Sequence, residues 1–292
     1  MLRKYIQEKS TLIDLALEEF IPEYNGYPAK VFEAMRYSLL AGGKRLRPVL
    51  LMAAADAVGG QGARYRHVAC GLEMIHTYSL IHDDLPSMDN DDYRRGKLTN
   101  HKVFGEAIAL LAGDGLLTAA FEIMLAQPEV APAVLLQVVR EIASSAGATG
   151  MIGGQTVDLL SEGKMINIAT LTYMHQAKTG ALFKAALRAG AMLANAQTWQ
   201  VDALTTYAEE FGLTFQITDD ILDVTGDQAK IGKPVGSDEK NQKATYVSLY
   251  SLAEAQSMAE AAGQQALSAL DKFGPEADVL RLMVRYILTR EN

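Results

Sequence analysis

Two short stretches of this 292-residue chain concentrate carboxylates in apolar surroundings. In Phe215-Gln216-Ile217-Thr218-Asp219-Asp220-Ile221-Leu222-Asp223, helical spacing puts Asp219 and Asp223 one turn apart on one face, with Gln216 three residues before Asp219. Two carboxylates about 4 Å apart repel by roughly 4 kcal/mol at an effective dielectric of about 20. The flanking Phe, Ile and Leu side chains mark a largely buried helix with no basic residue in this stretch, so the charges call for a cation. Leu80-Ile81-His82-Asp83-Asp84-Leu85-Pro86-Ser87-Met88-Asp89 repeats the arrangement: paired aspartates end an apolar helix, Pro86 breaks it, and the next turn returns Asp89. All-oxygen donor sets suit Mg2+, which takes one or two carboxylates per ion and completes its shell with water and phosphate. Asp83, Asp84, Asp89, Asp219, Asp220 and Asp223 are therefore candidate metal ligands, and two such clusters facing one cavity would hold two or three ions on a diphosphate. An EF-hand loop from Asp83 or Asp89 lacks its Gly and Glu, and no His/Cys set has zinc spacing.

Cations follow each cluster. Arg94-Arg95-Gly96-Lys97 comes just after Asp89, and Lys233, Lys240 and Lys243 come after Asp223. A third group, Gly42-Gly43-Lys44-Arg45-Leu46-Arg47-Pro48, sits past a helix stop. It is no Walker loop, since Arg follows Gly43-Lys44 and no strand precedes it. As a flexible basic loop ending at Pro48 it offers Arg forks and a Lys point charge to a phosphate. His76, seven residues before Asp83, shares its helix face and is either a packed core histidine or a ligand.

The elements that must position these groups read as helices. Apolar residues recur at steps of three and four over residues 28–41, 64–83, 103–125, 128–147, 168–195 and 200–224, and residues 252–289 form two helices hinged near Gly274-Pro275. Nothing alternates with period two. Polar punctuation falls at 42–48, 85–102, 160–167 and 226–245. Without a Pro/Ser-rich linker or a fixed repeat, residues 1–292 are expected to form one all-α domain, a helical bundle.

Bulk properties narrow the function further. A net charge of −8 and a pI near 5.2 argue against a nucleic-acid partner, which needs a basic surface. Cys70 is the one cysteine, so no intramolecular disulfide forms, and its apolar run reads as core. Charges near Met1 occupy the place of a signal peptide's apolar stretch, and the longest uncharged run, 142–157, is too short to span a bilayer. A cytoplasmic protein without a membrane span is expected.

With these residues assembled, the chain resembles the short-chain trans-prenyltransferases of the polyprenyl synthase family, most of all the bacterial farnesyl diphosphate synthases. Asp83-Asp84 with four residues before Asp89 is similar to that family's first aspartate-rich motif in bacterial form, and Asp219-Asp220-x-x-Asp223 to the second. The resemblance runs from Gly42 to Lys243. It implies an isoprenoid-synthase fold with helices around a central cavity, usually a homodimer. It also implies Mg2+-dependent head-to-tail condensation of isopentenyl diphosphate with dimethylallyl or geranyl diphosphate to give farnesyl diphosphate. A geranylgeranyl product is the runner-up, and a class I terpene cyclase the more distant one.

By that resemblance Gly43, Lys44, Arg47, His76 and Arg95 hold isopentenyl diphosphate, and Arg94, Lys233 and Lys243 contact the allylic diphosphate. Asp83, Asp89 and Asp219 become the favoured metal ligands, with Gln155 and Asp158 near them. Lys178, Thr179 and Gln216 lie beside the reacting carbon. Arg290, alone before Glu291-Asn292, departs from the family's basic C-terminal tail. Tyr78 and Ser79, about one turn before Asp83, are expected to set product length: an aromatic at Tyr78 would floor the cavity, unless it is ordinary core packing.

Overall fold

The computed structural model describes residues 1–226 and 244–290. Among the described residues the protein is all-α, with a single two-stranded hairpin. The chain gathers into two compact units, one of Arg3–Met52 with Gln61–Val139, the other of Ala53–Gly60 with Arg140–Asn292.

The first unit holds α1 (Leu2–Phe20), α2 (Ala29–Leu39), the start of α3 (Leu46–Ala57), α4 (Arg66–Asp83), the hairpin strands β1 (Tyr93–Arg94) and β2 (Lys97–Leu98), α5 (Asn100–Phe104) and α6 (Glu106–Leu125). Its most extensive helix pairing is α4 against α6. Small residues make that approach possible: a Cβ on Gly71 of α4 would lie 2.5 Å from Met124 Cγ, and one on Gly113 of α6 would lie 2.1 Å from His82 Nε2. Eleven α4 residues are buried, including Val68, Leu72, Met74, Ile75 and Ile81, so the helix that ends in the first aspartate pair is fixed by its own core. By length and composition α6 is apolar enough to cross a membrane, yet Ala109, Ala112, Leu116, Ala120 and Met124 are spent on the core of this unit.

The second unit adds the end of α7 (Pro132–Ala146), which begins in the first, and α8 (Met151–Ser161), α9 (Ile168–His175), α10 (Ala181–Leu193), α11 (Thr198–Thr225), α12 (Tyr246–Leu249), α13 (Leu252–Ala269) and α14 (Asp278–Thr289). At 28 residues α11 is about 42 Å long, and it packs on α13 and α10. Its buried face carries Leu204, Tyr207, Ala208 and Phe211, with Phe183 of α10 edge-on to Phe211 and Phe215 at 5.4 and 5.3 Å. The Tyr207 hydroxyl donates to Leu280 O at 2.9 Å, which fastens α14 to the same helix.

Most helices fall where the apolar periodicity puts them, but α1 and most of α3 lie in stretches it does not mark, and three local features differ as well. The 42–48 stretch is not a loop throughout, because α3 begins at Leu46 and places Arg47 and Pro48 in its first turn, where a proline lacks no hydrogen bond. Helix α8 was hidden by its glycines. Between α9 and α10 the backbone passes through one π-helical turn, Gln176–Gly180, which period-3.6 counting cannot separate from α-helix.

Candidate active site

The first unit carries one group of the candidate site residues. At the end of α4 the chain folds back, with Asp89 N–H donating to Asp83 O at 2.9 Å and Asn90 N–H to Leu85 O at 3.1 Å. This turn is what returns Asp89 to Asp83 after Pro86. Asp84 goes inward instead, and only 3% of it is exposed. Arg94 Nε donates to its two oxygens at 2.8 and 2.9 Å, and Nη2 lies 2.6 Å from Oδ1. Burial pushes the Asp84 carboxyl up, and Arg94 opposes the shift. Asp84 and Arg94 thus hold each other: the hairpin strand carrying Arg94 is tied to the end of α4.

The hairpin turn between Tyr93 and Leu98 has Arg95 at φ 54° and Gly96 at φ 75°, the left-handed pair of a type I′ turn. It brings Arg95 onto the 42–45 loop, where its Nη1 donates to Gly42 O. Gly43 has φ 127°, and a Cβ there would meet Arg95 Cζ at 2.7 Å, so its bare backbone is what admits the guanidinium. Arg47 and His76 complete a basic pocket. Burial lowers Arg47 to about 10, with Arg95 adding to the effect against Glu73. Burial, then the charges of Arg47, Arg95, Arg94 and Arg45, push His76 well below the usual imidazole value, so it is neutral at physiological pH. Cations gathered closely enough to depress one another form a site prepared for an anion. Lys44 stands exposed at its edge.

Arg45 corrects the picture of three cations pointing at one ligand. It sits at φ 46° and turns into the core, 2% exposed. There its Nε donates to Asp14 Oδ1 (2.8 Å), Nη1 to Glu73 Oε1 (2.8 Å) and Nη2 to Leu39 O (2.7 Å). The sequence signal was Glu73, a lone carboxylate inside the apolar run 68–75, which required a buried cation. Tyr78 is 5% exposed, edge-on to His82 at 5.6 Å, and Ser79 Oγ donates back to His76 O at 2.8 Å.

The second unit carries another group. Lys178 and Thr179 lie in the π turn, pressed by α8: a Cβ on Gly154 would come within 2.2 Å of Lys178 N. Lys178 Nζ pairs with Asp158 at 2.5 Å, and Gln155 lies one turn earlier on α8. Thr179 Oγ1 makes a long contact of 3.4 Å to Gln216 Oε1. Gln216 then donates to Asp220 Oδ1 at 3.0 Å, so it pairs with Asp220 rather than with Asp219. The other Asp220 oxygen accepts the Tyr246 backbone N–H at 2.8 Å, and the carboxylate is 3% exposed. Asp223 is also buried, whereas the Asp219 side chain is 38% exposed and meets the Arg290 guanidinium. Spacing could not reveal Tyr246 or Arg290, which lie 26 and 71 residues from their partners. Lys233 and Lys243 lie outside the described residues.

Among the described residues no three His, Cys, Asp or Glu side chains close into a cage that would hold an ion unaided. The donor set fits Mg2+ nonetheless: oxygen ligands alone, with the Asp89 turn folded back on Asp83 and Asp219 partly open, suit an ion that borrows phosphate and water oxygens.

The polyprenyl synthetase family profile matches residues 28–282. The chain is 51% identical to farnesyl diphosphate synthase of Geobacillus stearothermophilus over 86% of its own length and 85% of that protein's. It is 43% identical to geranylgeranyl diphosphate synthase of Cyanophora paradoxa over 99% and 96%. The apo crystal structure of an FPP/GFPP synthase from Zymomonas mobilis superposes with a TM-score of 0.88, at 40% identity and covering 99% of both chains. The chain belongs to the polyprenyl synthetase family, and its all-α fold is that of the isoprenoid synthases.

Proposed function

We propose that this chain is a Mg2+-dependent prenyltransferase that joins isopentenyl diphosphate head to tail with dimethylallyl and then geranyl diphosphate, forming farnesyl diphosphate. The observation that carries this reading is the π turn. It carries the Lys178 cation, paired with Asp158, and Thr179, whose Oγ1 lies 3.4 Å from Gln216 Oε1 of α11. Relatives named farnesyl diphosphate synthase support the product. The Cyanophora relative makes geranylgeranyl diphosphate the second reading.

In this reading Lys44, Arg47 and Arg95 hold the diphosphate of isopentenyl diphosphate, with neutral His76 donating or accepting one hydrogen bond beneath them. Asp83, Asp89 and Asp219 would be the direct ligands of two or three Mg2+ ions, with Asp84, Asp220 and Asp223 buried behind them. Mg2+, when bound, supplies the positive charge that makes diphosphate a good leaving group. Lys178 adds a fixed charge to the departing oxygen, as Lys233 and Lys243 do from the segment outside the described residues. The allylic C–O bond breaks with its electron pair going to diphosphate, and the oxygens of Thr179 and Gln216 face the carbocation. The isopentenyl double bond then attacks, and the proton lost from the adjacent carbon leaves to the released diphosphate.

The enzyme is proposed to be cytoplasmic and homodimeric. A second copy would cover the exposed Leu110, Leu111 and Leu125 of α6 and Leu136 of α7, which are 47–61% exposed in one chain. Incubation with isopentenyl diphosphate, geranyl diphosphate and Mg2+, with products read by mass, tests the reading. A C15 product is expected. A C20 product would shift the assignment to the second reading, and failure to consume isopentenyl diphosphate would overturn both.

A further inference from the structure

Arg290 follows α14 by one residue, in extended backbone at φ −70° and ψ 147°. An arginine past a helix end is ordinarily solvated, because its hydrated head and long stem lose free energy on immobilisation. Here the side chain is only 5% exposed. Its Nη2 donates to Asp219 Oδ1 and to Phe215 O at 3.2 Å, and its guanidinium lies 4.5 Å over the Phe215 ring. Three separate contacts therefore seat one cation on the most exposed carboxylate of the second aspartate cluster.

We infer that Arg290 is a counter-ion latch: it neutralises Asp219 in the metal-free enzyme, and a divalent cation must displace it. This rests on the reading of Asp219 as a metal ligand. The physical reason is competition for one oxygen. A guanidinium bonded to Asp219 Oδ1 holds the lone pairs a metal would use, and it repels a dication twice as strongly as it would a unit charge. The latch also answers the problem posed by three carboxylates within five positions of one helix: without an ion, the accessible member carries its own cation. Release requires rotation at one residue beyond α14, not the unwinding of a helix. The freed fork is then available to a diphosphate, for which its geometry is suited.

The test uses Mn2+ alone as a paramagnetic probe, with free ion measured by electron paramagnetic resonance on the full chain without diphosphate. Arg290→Gln is expected to bind Mn2+ about tenfold more tightly, the value of one charge-assisted hydrogen bond. Arg290→Lys, which keeps the charge, should stay near the parent protein. Asp219→Asn should bind more weakly and erase the effect of Arg290→Gln. Weaker Mn2+ binding in Asp219→Asn together with unchanged or weaker binding in Arg290→Gln would overturn the latch and leave the metal assignment standing. Unchanged Mn2+ binding in Asp219→Asn would overturn both.

Discussion

Replacing Arg45 by Met is the most demanding test of how the basic loop is built. Arg45 and Glu73 are each 1% exposed at the side chain and joined at 2.8 Å, so the substitution strands a buried carboxylate and removes the donor to Leu39 O. Loss of one member of a buried pair costs about 3–5 kcal/mol. The Asp14 contact adds little, because that carboxylate is 49% exposed and water replaces its partner. With a denaturant slope of about 3 kcal/mol per molar, the urea midpoint should fall by about 1–1.7 M, read by circular dichroism. The double variant Arg45→Met/Glu73→Leu should recover most of the loss, since an apolar pair of similar volume needs no desolvation. Because Arg45 sits between Lys44 and Arg47, the single variant should also raise KM for isopentenyl diphosphate more than it lowers kcat. A midpoint shift below about 0.3 M, or a double variant no better than the single one, would refute the reasoning.

Three other outcomes follow from the geometry. Burial lowers His175 to about 4, so the unfolded chain binds its proton first as pH falls: stability is complete above about 6.5 and declines towards pH 4, by up to about 3 kcal/mol. His175→Gln should flatten that part of the pH–stability curve, and an unaltered slope would clear His175. Gly154→Ala should lower the melting temperature and cut kcat, because the new methyl meets the Lys178 backbone nitrogen, which cannot yield as a side chain would; about 1–3 kcal/mol is expected. Tyr78→Ala should lengthen the product beyond C15 by mass, and an unchanged product would move the cavity floor elsewhere.

The chemistry was legible in the sequence to the extent that it is local. Helical spacing and the apolar neighbours of Asp83, Asp84, Asp219 and Asp223 are properties of nine- or ten-residue windows, and so is the basic run 42–48. The direction each side chain takes was not legible there. Nothing in Lys44-Arg45-Leu46-Arg47 says that the middle cation turns inward, because that depends on Glu73 arriving from α4. Nor does Gln176–Gly180 announce a π turn or the close approach of α8 to it at Gly154.

The two aspartate clusters show the division most clearly. Residue type and spacing alone determined that six carboxylates gather in or just past two apolar helices, and that charge so placed demands cations. Only the tertiary structure decided that Asp84 is spent on Arg94, that Asp220 is spent on Gln216 and the Tyr246 amide, and that Asp219 faces outward towards Arg290. Periodicity is written in adjacent residues. The partner of a buried charge is chosen by packing that joins residues far apart in the chain.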